Sequence, residues 1–154
     1  MLKYESTLIT FTEVPDEISY CFNLSRCPCR CENCFESWLR DDIGTPLTAN
    51  VLREVIEQNP CISCICFMGG DNDHASIVEF AKVIKGIKPS INVAMYSGFP
   101  SIDNNLVAVL DYYKVGPYKP QCGPLNNPNT NQRMYKIVNG HLIDITYRFQ
   151  QPKQ

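Results

Sequence analysis

Ile18-Ser19-Tyr20-Cys21-Phe22-Asn23-Leu24-Ser25 runs straight into Arg26-Cys27-Pro28-Cys29-Arg30-Cys31-Glu32-Asn33-Cys34-Phe35. The first half is rich in β-formers and predicts a buried strand. The cysteines then fall on a loop at the C-terminal end of that strand.

The pattern on the C-terminal side repeats. Thr48 is a plausible N-cap for a helix over residues 48–58, where Val51, Leu52, Val55 and Ile56 recur at helical spacing. A second strand over residues 62–68 ends in Gly69-Gly70. Residues 75–85 read as a helix with Ile77, Phe80, Ala81 and Ile84 on one face, and residues 91–96 as a third strand closed by Ser97-Gly98. A short helix over residues 103–110 and a strand over residues 112–115 continue the alternation. It argues for an α/β fold with a mainly parallel sheet, an open or partial (βα) barrel in one domain spanning residues 1–154. Four prolines mark residues 116–131 as an irregular loop. Beyond it, strands over residues 134–138 and 141–145 flank Asn139-Gly140, the pair that favours a two-residue turn, so a C-terminal β-hairpin is expected.

Cys27, Cys31 and Cys34 have C-x3-C-x2-C spacing, which puts three thiolates on one loop, enough for three corners of a cubane. One iron would stay open, so that an amine and a carboxylate could chelate it, whereas clusters that only transfer electrons usually have four protein cysteines. Two other readings compete. Cys27, Cys29, Cys31 and Cys34 could form a closed four-thiolate zinc site, although such sites are usually built from two separated pairs. They could also be ordinary buried cysteines, but Pro28, Arg30 and Glu32 between them make a poor hydrophobic strand. In the cubane reading Cys29 is a non-ligand.

The spacing resembles the signature of radical S-adenosylmethionine enzymes, and Met68-Gly69-Gly70-Asp71 at the next strand end resembles their Gly-Gly-Glu/Asp motif. Tyr96-Ser97-Gly98, Gly116-Pro117-Tyr118 and Asn131-Gln132-Arg133, with the small size, are similar to the anaerobic ribonucleoside-triphosphate reductase activating proteins. The resemblance implies a partial (βα) barrel of radical S-adenosylmethionine type. It implies a 4Fe-4S cluster on Cys27, Cys31 and Cys34, with S-adenosyl-L-methionine across the strand ends. Asn33, Cys34 and Phe35 would pass along the cofactor, and Gly69, Gly70 and Asp71 would receive its ammonium group, bare glycines permitting close approach. Ser97 and Gly98 would help line the site. Asn33 departs from the aromatic common at that place, which bears on adenine packing rather than on the cluster. The implied activity is reductive cleavage of S-adenosylmethionine to form a glycyl radical on a partner, the glycyl-radical subunit of anaerobic ribonucleoside-triphosphate reductase. A flavodoxin or ferredoxin would donate the electron.

The rest of the composition narrows the classes. A formal net charge of −2 over 154 residues, with no basic stripe, gives no electrostatic support to nucleic-acid or membrane-surface binding. No apolar stretch approaches the length of a membrane span and the N-terminus carries no leader pattern, so a cytoplasmic protein is expected. In a reducing compartment the nine cysteines are better read as ligands, reactive thiols or small buried residues than as disulfides. Cys64 and Cys66 should share a face with Ile62 and Met68, with Cys61 opposite. A buried strand explains that triplet more simply than a second cluster does. Cys122 is isolated. His74 and His141 have no obvious catalytic partner and default to surface or cap roles, and Trp38 to packing. No side chain is singled out as catalytic.

Overall fold

The computed structural model describes residues 1–28 and 41–150. Cys29, Cys31, Asn33, Cys34, Phe35 and Trp38 therefore lie outside the described residues. The strands are β1 (Lys3–Thr10), β2 (Ser19–Leu24), β3 (Thr45–Pro46), β4 (Cys64–Met68), β5 (Asn92–Tyr96), β6 (Tyr112–Val115), β7 (Arg133–Val138) and β8 (His141–Asp144). The helices are α1 (Ala49–Gln58), α2 (His74–Ile87) and α3 (Asn104–Val107), and a 3-10 turn occupies Thr146–Phe149.

The eight strands among the described residues join one sheet in the order β3-β1-β2-β4-β5-β6-β7-β8. The centre, β2-β4-β5-β6, is parallel, and both flanks are antiparallel. Along the parallel centre Asn23, Met68, Tyr96 and Lys114 are register partners, so four strands end at one level.

The period-2 alternation of each strand divides the core between the two faces of the sheet. Phe22, Ile65, Phe67, Val93, Met95 and Tyr113 pack with Leu52 and Ile56 of α1, Ile77, Ala81 and Ile84 of α2, and Leu106 of α3. On the opposite face Cys21, Cys64, Cys66, Ala94 and Tyr112 pack with Val14, Leu125, Met134 and Ile145, all from outside the helices. Ile62 joins the helix-side core rather than the face of Cys64 and Cys66. The strand begins only at Cys64, so the alternation does not extend back to it.

Side chains fix the helix starts. Thr48 accepts from the Val51 N–H at 3.3 Å, and Asp73 from the Ser76 N–H at 3.1 Å. Asp103 caps α3 by accepting from the Asn105 N–H at 2.9 Å. At the N-terminal ends of the parallel strands, the buried carboxylate of Glu17 accepts from Ser63 Oγ at 3.2 Å and from Asn92 Nδ2 at 2.7 Å, joining the starts of β4 and β5. Asn139 and Gly140 both have positive φ, 51° and 75°, as the β7–β8 turn requires.

Candidate metal and cofactor site

The described features that can bear chemistry gather at the C-terminal ends of the parallel strands. Chain leaves the end of β2 at Pro28 and returns at Asp41. The Arg26 N–H donates to the Asp41 carbonyl at 3.0 Å, and the Ser25 N–H to the Lys3 carbonyl at 2.9 Å. Both ends of the cysteine-bearing segment are therefore held at that edge, with Cys27 half-buried just beyond it.

Beside it, β4 ends in Gly69-Gly70, with φ of 110° and 102°. Such values are open to glycine and strained for other residues. The Gly69 N–H donates to the Tyr96 carbonyl at 3.0 Å, and the Ser97 N–H to the Lys114 carbonyl at 2.8 Å, so each strand end is bound to the next. Asp71 reinforces this. Its Oδ1 accepts from Ser97 Oγ at 2.7 Å and its Oδ2 from the Gly98 N–H at 2.8 Å, while its side chain is only 1% exposed. The fold thus brings Gly69, Gly70, Asp71, Ser97 and Gly98 together. The next residue, Asn72, has a buried Oδ1 with no donor among the described residues, which a bound ammonium group or a water would satisfy.

On the helix-free face at the same edge lies a cavity of about 580 Å³, within the range of about 300–1,000 Å³ usual for small-molecule sites. Met68, Tyr96 and Lys114, register partners near the ends of β4, β5 and β6, line it together with Glu13, Tyr118 and Phe149. Lys114 is buried; its Nζ donates to the Gly116 carbonyl at 2.8 Å and the Ser97 carbonyl at 3.2 Å and lies 5.9 Å from the centre of the Tyr96 ring. The Tyr96 hydroxyl donates to the Glu13 carbonyl oxygen. Burial raises the titration of the Tyr96 phenol well above its ordinary range and pushes the Glu13 carboxyl up. Sequence reasoning missed Lys114 and Glu13. The one available signal was a lysine inside an otherwise apolar strand.

Cys21, Cys64 and Cys66 are fully buried on this face, farther from the edge. Burial raises the Cys64 thiol, and the Cys66 thiol is raised by its hydrogen bond with Cys21 and then by burial. Among the described residues no group of three or more His, Cys, Asp or Glu side chains could hold a metal. Among the described cysteines, exposed Cys61 should react first with a thiol reagent in the native holoprotein, whereas Cys21, Cys64 and Cys66 should react only on unfolding, as read by peptide mass spectrometry. Native labelling of Cys64 or Cys66 would contradict this packing.

A cysteine-rich segment whose two ends are tied to a strand edge beside an open cavity is the arrangement an iron–sulfur protein needs. Residues 18–119, well over half of the chain, match the model of the 4Fe-4S single cluster domain family, and the chain belongs to that family. No curated protein and no solved structure matches it. The family assignment favours iron and sulfide over the four-thiolate zinc alternative. It is also compatible with a redox enzyme. No helix among the described residues is long and apolar enough to cross a membrane.

Proposed function

We propose that the protein is a cytoplasmic radical S-adenosylmethionine enzyme with a partial (βα) barrel, activating an anaerobic ribonucleoside-triphosphate reductase by forming a glycyl radical on it. One observation carries the reading. The tethered ends of the cysteine segment, the positive-φ glycine pair and the cavity share the single edge where four parallel strands terminate. That is where an α/β sheet binds its ligands.

The donor set fits the group: Cys27, Cys31 and Cys34 would hold the cluster and leave one iron for the methionyl amine and carboxylate of S-adenosylmethionine. When bound, the cluster supplies the single electron that splits S-adenosylmethionine into methionine and the 5′-deoxyadenosyl radical. The chain's own residues bind and orient. The backbone polar groups at Gly69 and Gly70, whose positive φ turns the chain at the strand end, would receive the ammonium group, and Asp71 fixes the Ser97-Gly98 end of β5 instead of reaching for the ligand itself. The Lys114 ammonium holds the ends of β5 and β6 together and gives the cavity wall a positive charge. Asn33, Cys34 and Phe35 would run along the adenosyl part. An open edge suits a substrate that is a loop of another folded protein, and a flavodoxin or ferredoxin would reduce the cluster. Neither a nucleic acid nor a membrane has a part in this reading.

Reduced anaerobically and mixed with S-adenosylmethionine and the cognate reductase, the holoprotein is expected to give a glycyl radical visible by electron paramagnetic resonance, and Cys31→Ala none. Cleavage of S-adenosylmethionine without a radical on the reductase would retain the chemistry and overturn the activating role, pointing to another glycyl-radical enzyme or a peptide.

A further inference from the structure

We propose that His74 is a positioning residue of the strand-end site: clamped as an imidazolium between Asp71 and Asp103, it fixes the Asp71 carboxylate that shapes the Ser97-Gly98 end of β5. Its Nε2 lies 2.8 Å from Asp71 Oδ1 and its Nδ1 2.8 Å from Asp103 Oδ2. Ionised carboxylates only accept, so two of them on one ring require both nitrogens to donate, and the ring must be protonated. The clamp crosses two connections. Asp71 belongs to the turn between β4 and α2 and holds Ser97 and Gly98, whereas Asp103 caps α3 and donates its own N–H to the Tyr113 hydroxyl at 3.3 Å. His74 is the first residue of α2, so one side chain ties the helix start to the turn after β4 and to the cap of α3.

The surroundings favour the charge. Burial opposes it, and the hydrogen bonds to Asp71 and Asp103 outweigh burial, so the ring titrates above its ordinary 6.5. Reciprocally, the His74 hydrogen bond holds the Asp103 carboxyl below its ordinary range. The other groups nearby are Asp73, itself paired with the Met1 ammonium at 3.3 Å, Glu79 and Lys82 along the groove between α2 and α3, and Tyr113 from β6. The Phe99 ring packs against the imidazole with centres 5.8 Å apart. A folded-state value raised above the unfolded one means that the clamp contributes fully below about pH 6.5 and is lost as pH rises through the raised value. A neutral ring keeps one N–H. Asp71, 1% exposed, needs that donor more than Asp103, 29% exposed and able to turn to water, so the link to Asp103 opens first.

Nitrogen-15 histidine spectra of the holoprotein, assigned with His141→Gln, test the clamp without reference to activity. The expected result is an imidazole protonated on both nitrogens at pH 6, with only Nε2–H at high pH. The Gly98 amide, which donates to Asp71, should shift with the same midpoint in the wild type and stay flat in His74→Gln. A neutral His74 at pH 6, or a Gly98 resonance indifferent to its titration, would overturn the inference whether or not any variant folds poorly. The link to the cofactor rests on the proposed function. There, His74→Ala should keep full cluster content and bind S-adenosylmethionine about tenfold more weakly, the loss expected for one charge-assisted hydrogen bond. His74→Gln, which can still donate to Asp71, should recover most of that affinity. Wild-type affinity in a folded His74→Ala protein would end the positioning role and leave the proposed function standing. A wild-type protein that binds no S-adenosylmethionine would refute the function, while the spectra still decide the clamp.

Discussion

Cys27→Ala, Cys31→Ala and Cys34→Ala are each expected to abolish the cluster after anaerobic reconstitution, whereas Cys29→Ala should retain most of it. Iron and sulfide analysis and the visible absorption of the cluster give the readout. Wild type should hold one 4Fe-4S cluster per chain. On the proposed triad, removing one of three thiolates leaves two, which would anchor a cubane too weakly to keep it, and Cys29 would be no ligand. The effect should be close to all-or-none. Loss in Cys29→Ala with retention in Cys31→Ala would reassign the ligands, and stoichiometric zinc in place of iron would restore the four-thiolate alternative.

The second large effect is expected at Gly70. A bare residue there suggests a close ligand approach, with Gly70→Val as the natural probe of it. The fold aims that side chain elsewhere: a Cβ on Gly70 would stand 2.8 Å from Ile77 Cδ1 and 3.3 Å from Leu24 Cδ1. Both residues are fully buried on the helix side, so their methyl ends can give way only by disturbing the packing around them. A left-handed φ in a branched residue costs about 1–3 kcal/mol and overpacking about as much again. Gly70→Val should therefore lose about 2–6 kcal/mol, a large part of the roughly 5–15 kcal/mol that holds a domain together. A lowered urea midpoint would show it. Gly69→Ala is the gentler probe, because its Cβ would meet only the Leu24 carbonyl oxygen at 3.4 Å and the Leu24 Cβ at 3.5 Å. It should fold, with backbone strain as its main penalty. Unchanged stability in Gly70→Val would mean that the glycine pair does not pack as described.

What the sequence made legible were features encoded within a few residues. The Thr48 cap, the positive-φ pair Asn139-Gly140, and the strand ends at Met68 and Tyr96 all follow from local chemistry, and each lies where the pattern puts it. Strand β1 escaped notice because it is a mostly exposed antiparallel strand, with Leu8 and Ile9 half in solvent and a register shift between Tyr4 and Ser6, so no clean alternation marks it. Helix α3 is shorter than its apolar pattern suggested, ending at Val107.

The candidate site divides in the same way. Gly69-Gly70 and Ser97-Gly98 could be picked out because glycine punctuates strand ends. The roles of Asp71 and His74 could not, since their partners are supplied by the fold: Ser97 is 26 residues from Asp71, and Asp103 is 29 from His74. The Asp71–His74 pair, three residues apart, was visible as a spacing but indistinguishable from an ordinary surface pair. Lys114 has a meaning only once the ends of β5 and β6 are known to be adjacent.

The most direct test of the central claim is product formation by the protein alone. Reconstituted anaerobically, reduced by a strong one-electron donor and given S-adenosylmethionine, the wild type should release methionine and 5′-deoxyadenosine in equal amounts, and Cys31→Ala should release neither. A fully loaded, reduced cluster that leaves S-adenosylmethionine intact would contradict the enzyme reading.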